Sequence, residues 1–359
     1  MQIINIKSAI RNYTVHFSET TDFLNDLEEI KQRFYVIDSN VWEIYSSKLF
    51  ADIDKTRVMV LPIHEERKNI DTVMEVYDAI MSCSAKRNLT LVSIGGGITQ
   101  DITGFVASTL YRGLKWIFIP TTLLAQADSC IGSKTSLNYK NYKNLVGTFY
   151  PPNEVYLTPL FLNTLQGHDF YSGLGEVVKL HLMGGKNCVY FLSQNMDKIV
   201  ERDPQYLLQA ISNSLKVKLS YLEDDEFDMG KRNLLNFGHC FGHALETTSK
   251  FTIPHGQAVL IGILFANIVS RNRGLLTPEV FDELRQNLLE PNIMIRPTKT
   301  DMDVDSIYTA MKMDKKRINE GLVLVMMFGD YGMCKVEDMS YNELEQANAE
   351  LIKLMMNEK

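Results

Sequence analysis

The sequence predicts an α/β N-terminal domain followed by a mainly α-helical C-terminal domain, divided as 1–165 and 166–359. Three observations carry this prediction. Short apolar runs recur in the first half, separated by polar turns and amphipathic stretches, the strand–helix rhythm of a parallel sheet. One run, 91–94, leads into Gly95-Gly96-Gly97 and then a helical pattern. From Phe170 onward, long i, i+3, i+4 apolar patterns dominate, and only 322–328 reads as a late strand.

Taken in order, residues 1–18 alternate apolar and polar, as a half-buried strand or hairpin does. The run 34–37 (FYVI) is a buried strand ending in Asp38-Ser39-Asn40. A carboxylate there is either a helix N-cap or, in a Rossmann-like half, the group that holds a ribose hydroxyl. Strand 58–61 precedes Pro62 and the polar HEERKN, and 70–83 has helical spacing. Strand 91–94, the glycines and the next helix read as an anion site, because small residues let the backbone approach a phosphate that the helix N–H groups face. The glycines alone would equally suit a tight turn. Strand 116–119 ends in Pro120-Thr121-Thr122, before a charged, amide-rich loop region with Asp128, Lys134, Lys143 and Asn144. In the second half, 173–183, 206–223, 233–250 and 256–272 each read as a helix, Pro254-His255-Gly256 punctuates two of them, and 339–359 reads as a closing helix.

Composition narrows the function classes. A length of 359 residues suits two domains with real cores, and 45% apolar with 23% charged residues suits a globular chain. A net charge of −7 argues against a general nucleic-acid binder, while leaving room for a local basic pocket. The five cysteines are scattered without a CxxC pair, which implies reduced thiols and a cytoplasmic setting. The N-terminus lacks the apolar core of a signal peptide, and no apolar run approaches the ~18 residues of a membrane span.

Three of the seven histidines, His239, His243 and His255, crowd into 239–255. The first two are four apart and so share a helix face, while His255 follows Pro254 on a turn from which it can fold back. Glu176 stands in the apolar GEVVK, where a carboxylate needs a reason. Two histidines, a carboxylate and an open position are a common catalytic zinc set, although each histidine could also be a packing residue and Glu176 an exposed helix end. Cations gather in the same region: Lys179 three residues after Glu176, then Lys218, and Arg232 one turn before Asn236. Arginine suits bidentate anion binding and lysine a point charge, so metal and cations together fit a polyhydroxylated anionic substrate.

With GGGITQDITGF, YRGLKWIFIPTTLLAQADSCIGSKTSLN, YKNLVGTFYPP, GLGEVVK, RNLLNFGHCFGHALE and PHGQAV in one order, the chain resembles the sugar phosphate cyclases, most of all their 3-dehydroquinate synthase branch, over roughly 34–330. The resemblance implies an NAD-binding α/β domain and a helical metal domain, a homodimer, and a phosphorylated sugar-acid substrate. It implies Glu176, His239 and His255 as ligands of a divalent metal, zinc or cobalt, with His243 on the substrate side. It implies NAD contacts from Asp38, Asn40, Glu65, Lys68, Gly96, Gly97, Asp101, Thr121, Thr122 and Leu124, with Lys143 beside the nucleotide. Asp128, Lys134, Asn144, Lys179, Lys218, Arg232, Asn236 and His243 would line the substrate, Arg112 would reach the phosphate in the neighbouring subunit, and Lys315, with Lys316 next to it, would add a contact. The implied chemistry is transient oxidation by NAD, phosphate elimination, reduction and aldol closure of a carbocycle.

Departures from the branch are Gln100 and Ser133 in place of glycines, His64 before Glu65, and Ser172 where Asn is frequent. They keep open a sister cyclase acting on sedoheptulose 7-phosphate, glucose 6-phosphate or an aminated substrate. Lys218 and Arg232 favour the synthase, because the resemblance implies that these positions hold a substrate carboxylate. Metal-dependent alcohol and glycerol dehydrogenases share the two-domain plan and the glycine turn; the PTT…DSCIGSKT…KN series and the many cations separate the chain from them. A non-catalytic binding module is the remaining, weakest reading.

Overall fold

The structure is a computed structural model that describes residues 2–140, 142–313 and 321–356. Lys315 and Lys316 lie outside the described residues. The chain divides into two compact units, Met1–Leu165 with Arg202–Leu208, and Gln166–Glu201 with Gln209–Lys359.

The first unit is built on a seven-stranded sheet. Its strands are β1 (Gln2–Ile6), β2 (Tyr13–Phe17), β3 (Arg33–Asp38), β4 (Val58–Leu61), β5 (Thr90–Gly95), β6 (Lys115–Pro120) and β9 (Glu154–Leu157). Between the last two lies a separate antiparallel hairpin, β7 (Lys134–Tyr139) and β8 (Tyr142–Phe149). The sheet order is β1-β2-β9-β6-β5-β3-β4, with β1–β2 antiparallel and every other pair parallel. The helices of this unit are α1 (Phe23–Glu28), α2 (Ser39–Tyr45), α3 (Ile70–Ser82) and α4 (Gly97–Thr109).

Buried parallel strands read as continuous apolar runs because both faces are covered. The period of two divides the residues between the faces. Tyr35, Ile37, Val92, Ile94, Ile117 and Ile119 pack with Phe23, Val41, Tyr45, Phe50 and Phe161. Truncating a fully buried member such as Ile94 to Ala would cost about 2–5 kcal/mol. β3 has β4 on one side and β5 on the other, so the chain reverses its direction of winding between β3 and β5. Such a switch point, at the carboxyl ends of parallel strands, is where open α/β sheets hold ligands. Register places Ile37 beside Ile94 and Gly95 beside Pro120, so Asp38, the three glycines and Thr121-Thr122 share that edge.

The second unit is mainly helical: α5 (Gly167–Met183), α6 (Lys186–Val200), α7 (Pro204–Leu222, its first residues counted with the first unit), α8 (His239–Thr248), α9 (His255–Asn272), α10 (Pro278–Leu284), α11 (Val304–Lys312) and α12 (Tyr341–Met356). The antiparallel pair β10 (Leu322–Phe328) and β11 (Gly332–Met339) completes it. α9 is buried almost throughout from Gly256 to Ser270, which makes it the axis of this unit.

Three sequence expectations differ from this structure, the first being that 322–328 is not the one late strand: Gly332–Met339 forms β11, which pairs with it. The stretch 233–250 is not one helix: a 3-10 turn, Lys231–Asn236, ends before α8 begins at His239. Gly238 makes the break, with φ +78°, and a side chain there would also press on Ile263 and the Val259 carbonyl. The region from Asp128 to Asn144 is not a loop throughout, because residues from Lys134 onward form the β7–β8 hairpin.

Candidate active site

In the first unit, α4 starts at the glycine turn with Gly96 as N-cap and no side chain capping its first turn. Its leading N–H groups face the sheet edge described above, an arrangement that suits an anion. Thr121 N–H donates to Gly95 O at 3.0 Å, tying the end of β6 to this turn. Asp38 caps α2, its Oδ1 accepting from Asn40 N–H at 2.8 Å. Thr122 Oγ1 accepts from Ala125 N–H at 3.2 Å and so starts the turn that carries Leu124 and Asp128.

A polar network joins α4 to the hairpin. Lys68 Nζ lies 2.6 Å from Asp101 Oδ2 and 2.6 Å from Asn144 Oδ1. Asp101 accepts from Ser136 N–H and Oγ, both at 2.9 Å. Burial holds the Asp101 carboxyl above its ordinary range, against the pull of Lys68 and Ser136. Asn138 donates to Glu65 Oε1 at 2.8 Å and accepts from Asn144 N–H at 2.9 Å. Glu65, Lys68, Asp101 and Asn144, named separately in the sequence, therefore form one cluster. Ser136 and Asn138, which complete it, were missed; they alternate with buried Thr135 and Leu137 along β7, and that period of two was the available signal. Lys134, Lys143 and Arg112 are exposed, Arg112 with φ +62° at the end of a 3-10 turn.

In the second unit, α5, α8 and α9 bring five of the singled-out residues together: Glu176, Lys179, His239, His243 and His255. The close approach of α5 and α9 depends on Gly175 and Gly256: a methyl group on Gly256 would run into the Ser172 carbonyl oxygen, and one on Gly175 into the Gly256 carbonyl. Glu176 is 1 % exposed. Its Oε1 lies 3.2 Å from His255 Nε2 and 3.5 Å from His239 Nε2, and its Oε2 lies 2.5 Å from Lys179 Nζ. Donor atoms of His239, His243 and His255 all lie within 4.8 Å of one another, with His243 the most exposed ring, at 52 %.

The Nδ1 atoms of two rings are engaged elsewhere, His239 with Phe237 O at 3.1 Å and His255 with Glu246 Oε2 at 3.4 Å. Burial, helped by Lys179, keeps His239 well below its ordinary pKa, and so neutral. Burial opposes charge on Glu176 and on His255 as well. Lys179 and the histidines nevertheless hold Glu176 well below the usual carboxylate range, and hydrogen bonds to Glu176 and Glu246 push His255 up to about 10.

This donor set fits a divalent metal. Bonds of about 2.0–2.1 Å around a tetrahedral ion place donor atoms roughly 3.3–3.4 Å apart, close to the spacings of Glu176 Oε1 from the two Nε2 atoms. An ion would take the place of the His255 proton.

Lys218 on α7 and Arg232 on the 231–236 turn are both buried. The Arg232 guanidinium donates to Glu226 O, and the main-chain N–H of Arg232 donates to Asp225 Oδ2 at 2.9 Å. Asp225 also accepts from Met229 N–H and Gly230 N–H, both at 2.7 Å, so one carboxylate shapes the loop that presents Arg232. Asn236 donates to Asn233 O at 2.8 Å.

Comparison with known proteins follows the same division. The family described as 3-dehydroquinate synthase N-terminal matches residues 58–172, and 3-dehydroquinate synthase C-terminal matches 173–317. The chain belongs to the 3-dehydroquinate synthase family. A 3-dehydroquinate synthase of Clostridium tetani is 37% identical over 288 residues, 79% of this chain and 76% of that protein. One from Acetivibrio thermocellus is 32% identical over 351 residues, 93% and 96% of the two chains. Among solved structures, the 2-epi-5-epi-valiolone synthase of Streptomyces hygroscopicus subsp. jinggangensis, with NAD+ and Zn2+ bound, matches with a TM-score of 0.84 at 25% identity, covering 99% of this chain and 100% of that one.

Residues that depart from the 3-dehydroquinate synthase pattern have definite places. Gln100 donates to Ser129 O and accepts from Ser129 Oγ, both at 2.7 Å, which pins α4 to the turn bearing Asp128. Ser172 Oγ accepts from Gly256 N–H at 3.1 Å, at the α5–α9 approach. His64 caps the short turn Glu65–Arg67 without a side-chain hydrogen bond. Ser133 is buried, and its hydroxyl has no hydrogen-bond partner among the described residues.

Proposed function

We propose that this chain is a 3-dehydroquinate synthase, a phosphate-eliminating cyclase that converts 3-deoxy-D-arabino-heptulosonate 7-phosphate into 3-dehydroquinate and phosphate. The observation that carries the reading is the convergence of Glu176 with His239 and His255, beside Lys179, in a chain of this family. When bound, NAD would accept and later return one hydride, while a divalent metal, zinc or cobalt, would polarise the hydroxyl that is oxidised. The NAD and zinc of the valiolone synthase support both assignments.

The chain's own residues divide the remaining work. In the first unit, we assign the α4 N-terminus with Gly96 and Gly97 to the pyrophosphate, and Asp38 with Asn40 to a ribose. Glu65, Lys68, Asp101, Thr121, Thr122, Leu124 and Lys143 complete the nucleotide contacts. Asp128, Lys134 and Asn144 are assigned to the substrate. In the second unit, Glu176, His239 and His255 hold the metal, His243 sits at the exposed side of the cluster, and Lys179, Lys218, Arg232 and Asn236 bind substrate anions and hydroxyls. Lys179 keeps Glu176 ionised, and a buried lysine this close to a carboxylate needs that pairing to stay charged. We propose a homodimer, in which the exposed Arg112 serves the neighbouring subunit.

Incubating the purified protein with the heptulosonate phosphate, sedoheptulose 7-phosphate and glucose 6-phosphate tests the reading. Phosphate release from the first without net NADH is expected. A second reading, a sister cyclase, is favoured by the structural likeness to the valiolone synthase, and preference for a neutral sugar phosphate would establish it.

A further inference from the structure

We propose that Glu246 is a positioning residue, which fixes the tautomer and orientation of His255 toward the metal and is not itself a ligand. This rests on the metal reading above. α8 presents His239, His243 and Glu246 at spacings of four and three, two turns along one face. The Glu246 side chain is largely buried, and its Oε2 lies 3.4 Å from His255 Nδ1. The same ring turns Nε2 to Glu176 Oε1 at 3.2 Å. His255 thus has a carboxylate at each nitrogen.

The two nitrogens need opposite states for metal binding. A neutral imidazole offers one N–H donor and one lone pair, and the partner of the N–H decides which is which. Glu246 accepts from Nδ1–H, which leaves Nε2 to face the Glu176 side. His239 follows the same plan, with the Phe237 carbonyl behind Nδ1 and Nε2 turned to Glu176. Both rings are keyed from behind, one by the main chain and one by a side chain.

His255 needs the support more. It is the first residue of α9, so no preceding helical turn lies under its ring, whereas helical side chains normally lean on that turn. Glu246 Oε2 also lies 4.0 Å from His243 Nε2, away from the Glu176 side of the cluster. That position suits a brace and not a fourth ligand.

The test is zinc affinity of the full-length protein, measured by competition with a chromophoric chelator, together with the visible spectrum of the cobalt-loaded protein. Glu246→Ala is expected to weaken zinc binding about 10- to 100-fold and to change the cobalt spectrum. Glu246→Gln, which keeps an acceptor oxygen for Nδ1–H, is expected to stay within a few-fold of the unmodified protein and to keep its spectrum. If Glu246→Ala does not fold, Glu246→Asp, one methylene short of His255, carries the comparison. A purely structural role would lower the melting temperature of the metal-free alanine variant and leave the zinc affinity of its folded fraction unchanged. Unchanged affinity in Glu246→Ala, with binding lost in His239→Ala, overturns the proposal. Unchanged affinity in His239→Ala overturns the metal reading instead.

Discussion

Gly256→Ala is expected to perturb the proposed metal cluster without altering any of its side chains. The added methyl would run into the Ser172 carbonyl oxygen and stand 2.7 Å from the carbonyl carbon, where ordinary contact begins at 3.4 Å. The start of α9 must therefore retreat from α5 by about 0.7 Å or more. Metal donors tolerate displacements of about 0.2 Å, and His255 is the residue directly before the substituted glycine while Glu176 lies on the opposing helix. The retreat also breaks the Gly256 N–H to Ser172 Oγ hydrogen bond. Overpacking costs about 1–3 kcal/mol and the lost bond about 1 kcal/mol more. A misplacement of this order in a catalytic group lowers the rate about a hundredfold. Zinc content, phosphate release and urea unfolding would be measured on the variant and on Gly167→Ala, where a methyl meets nothing within 4 Å. Normal zinc content and rate in Gly256→Ala would refute the view that this helix approach sets the ligand geometry.

Other outcomes are expected with it. Arg232→Ala should reduce turnover of the acidic heptulosonate phosphate about ten- to a hundredfold, the loss of a charge-assisted pair worth about 1.5–3 kcal/mol; faster turnover of a neutral sugar phosphate by the unmodified protein contradicts the carboxylate assignment. During turnover, phosphate should accumulate without a steady rise in NADH absorbance, and a steady rise points to a dehydrogenase. His181, fully buried on α5, donates Nδ1–H to Val177 O at 2.8 Å, and burial pushes its pKa down to about 4 against that hydrogen bond. The unfolded chain takes up this proton near pH 6.5, so the contribution is fully present above that pH and is lost between about 6.5 and 4, on the order of 3 kcal/mol. His181→Leu should flatten that part of the stability profile in urea titrations at pH 7.5 and 4.5; an unchanged profile disproves the assignment.

The parallel sheet was legible because buried strands announce themselves as apolar runs, and β3, β5 and β6 lie within a residue or two of the expected spans. The hairpin was not, because Lys134–Tyr139 alternates polar with apolar residues and β8 is almost wholly exposed, which reads as loop. The break at Gly238 was hidden for another reason: Phe237, Phe241, Ala244 and Leu245 continue an apolar helical pattern across it, while the interruption lies in the backbone, in an extended ψ at Phe237 and a left-handed Gly238. At the site, histidine spacing on α8 and the lone carboxylate on α5 were visible, but Glu246 was not, because a charged residue on an amphipathic helix looks like solvent-facing surface. Its role comes from its distance to a ring on another helix.

The hairpin has a thermodynamic consequence of its own. Among the described residues β7 and β8 pair as strands only with each other, and a two-stranded sheet is marginal in water without outside support. Buried Thr135 and Leu137 give part of that support, and the rest comes from Asp101, Lys68 and Glu65 gripping Ser136, Asn144 and Asn138. A ligand that engages Lys68 or Asp101 therefore acts on hairpin opening and on its own binding through one linked equilibrium. Amide exchange at Ser136, whose N–H is held by Asp101, would slow or quicken with occupancy of the nucleotide site proposed for Lys68 and Asp101.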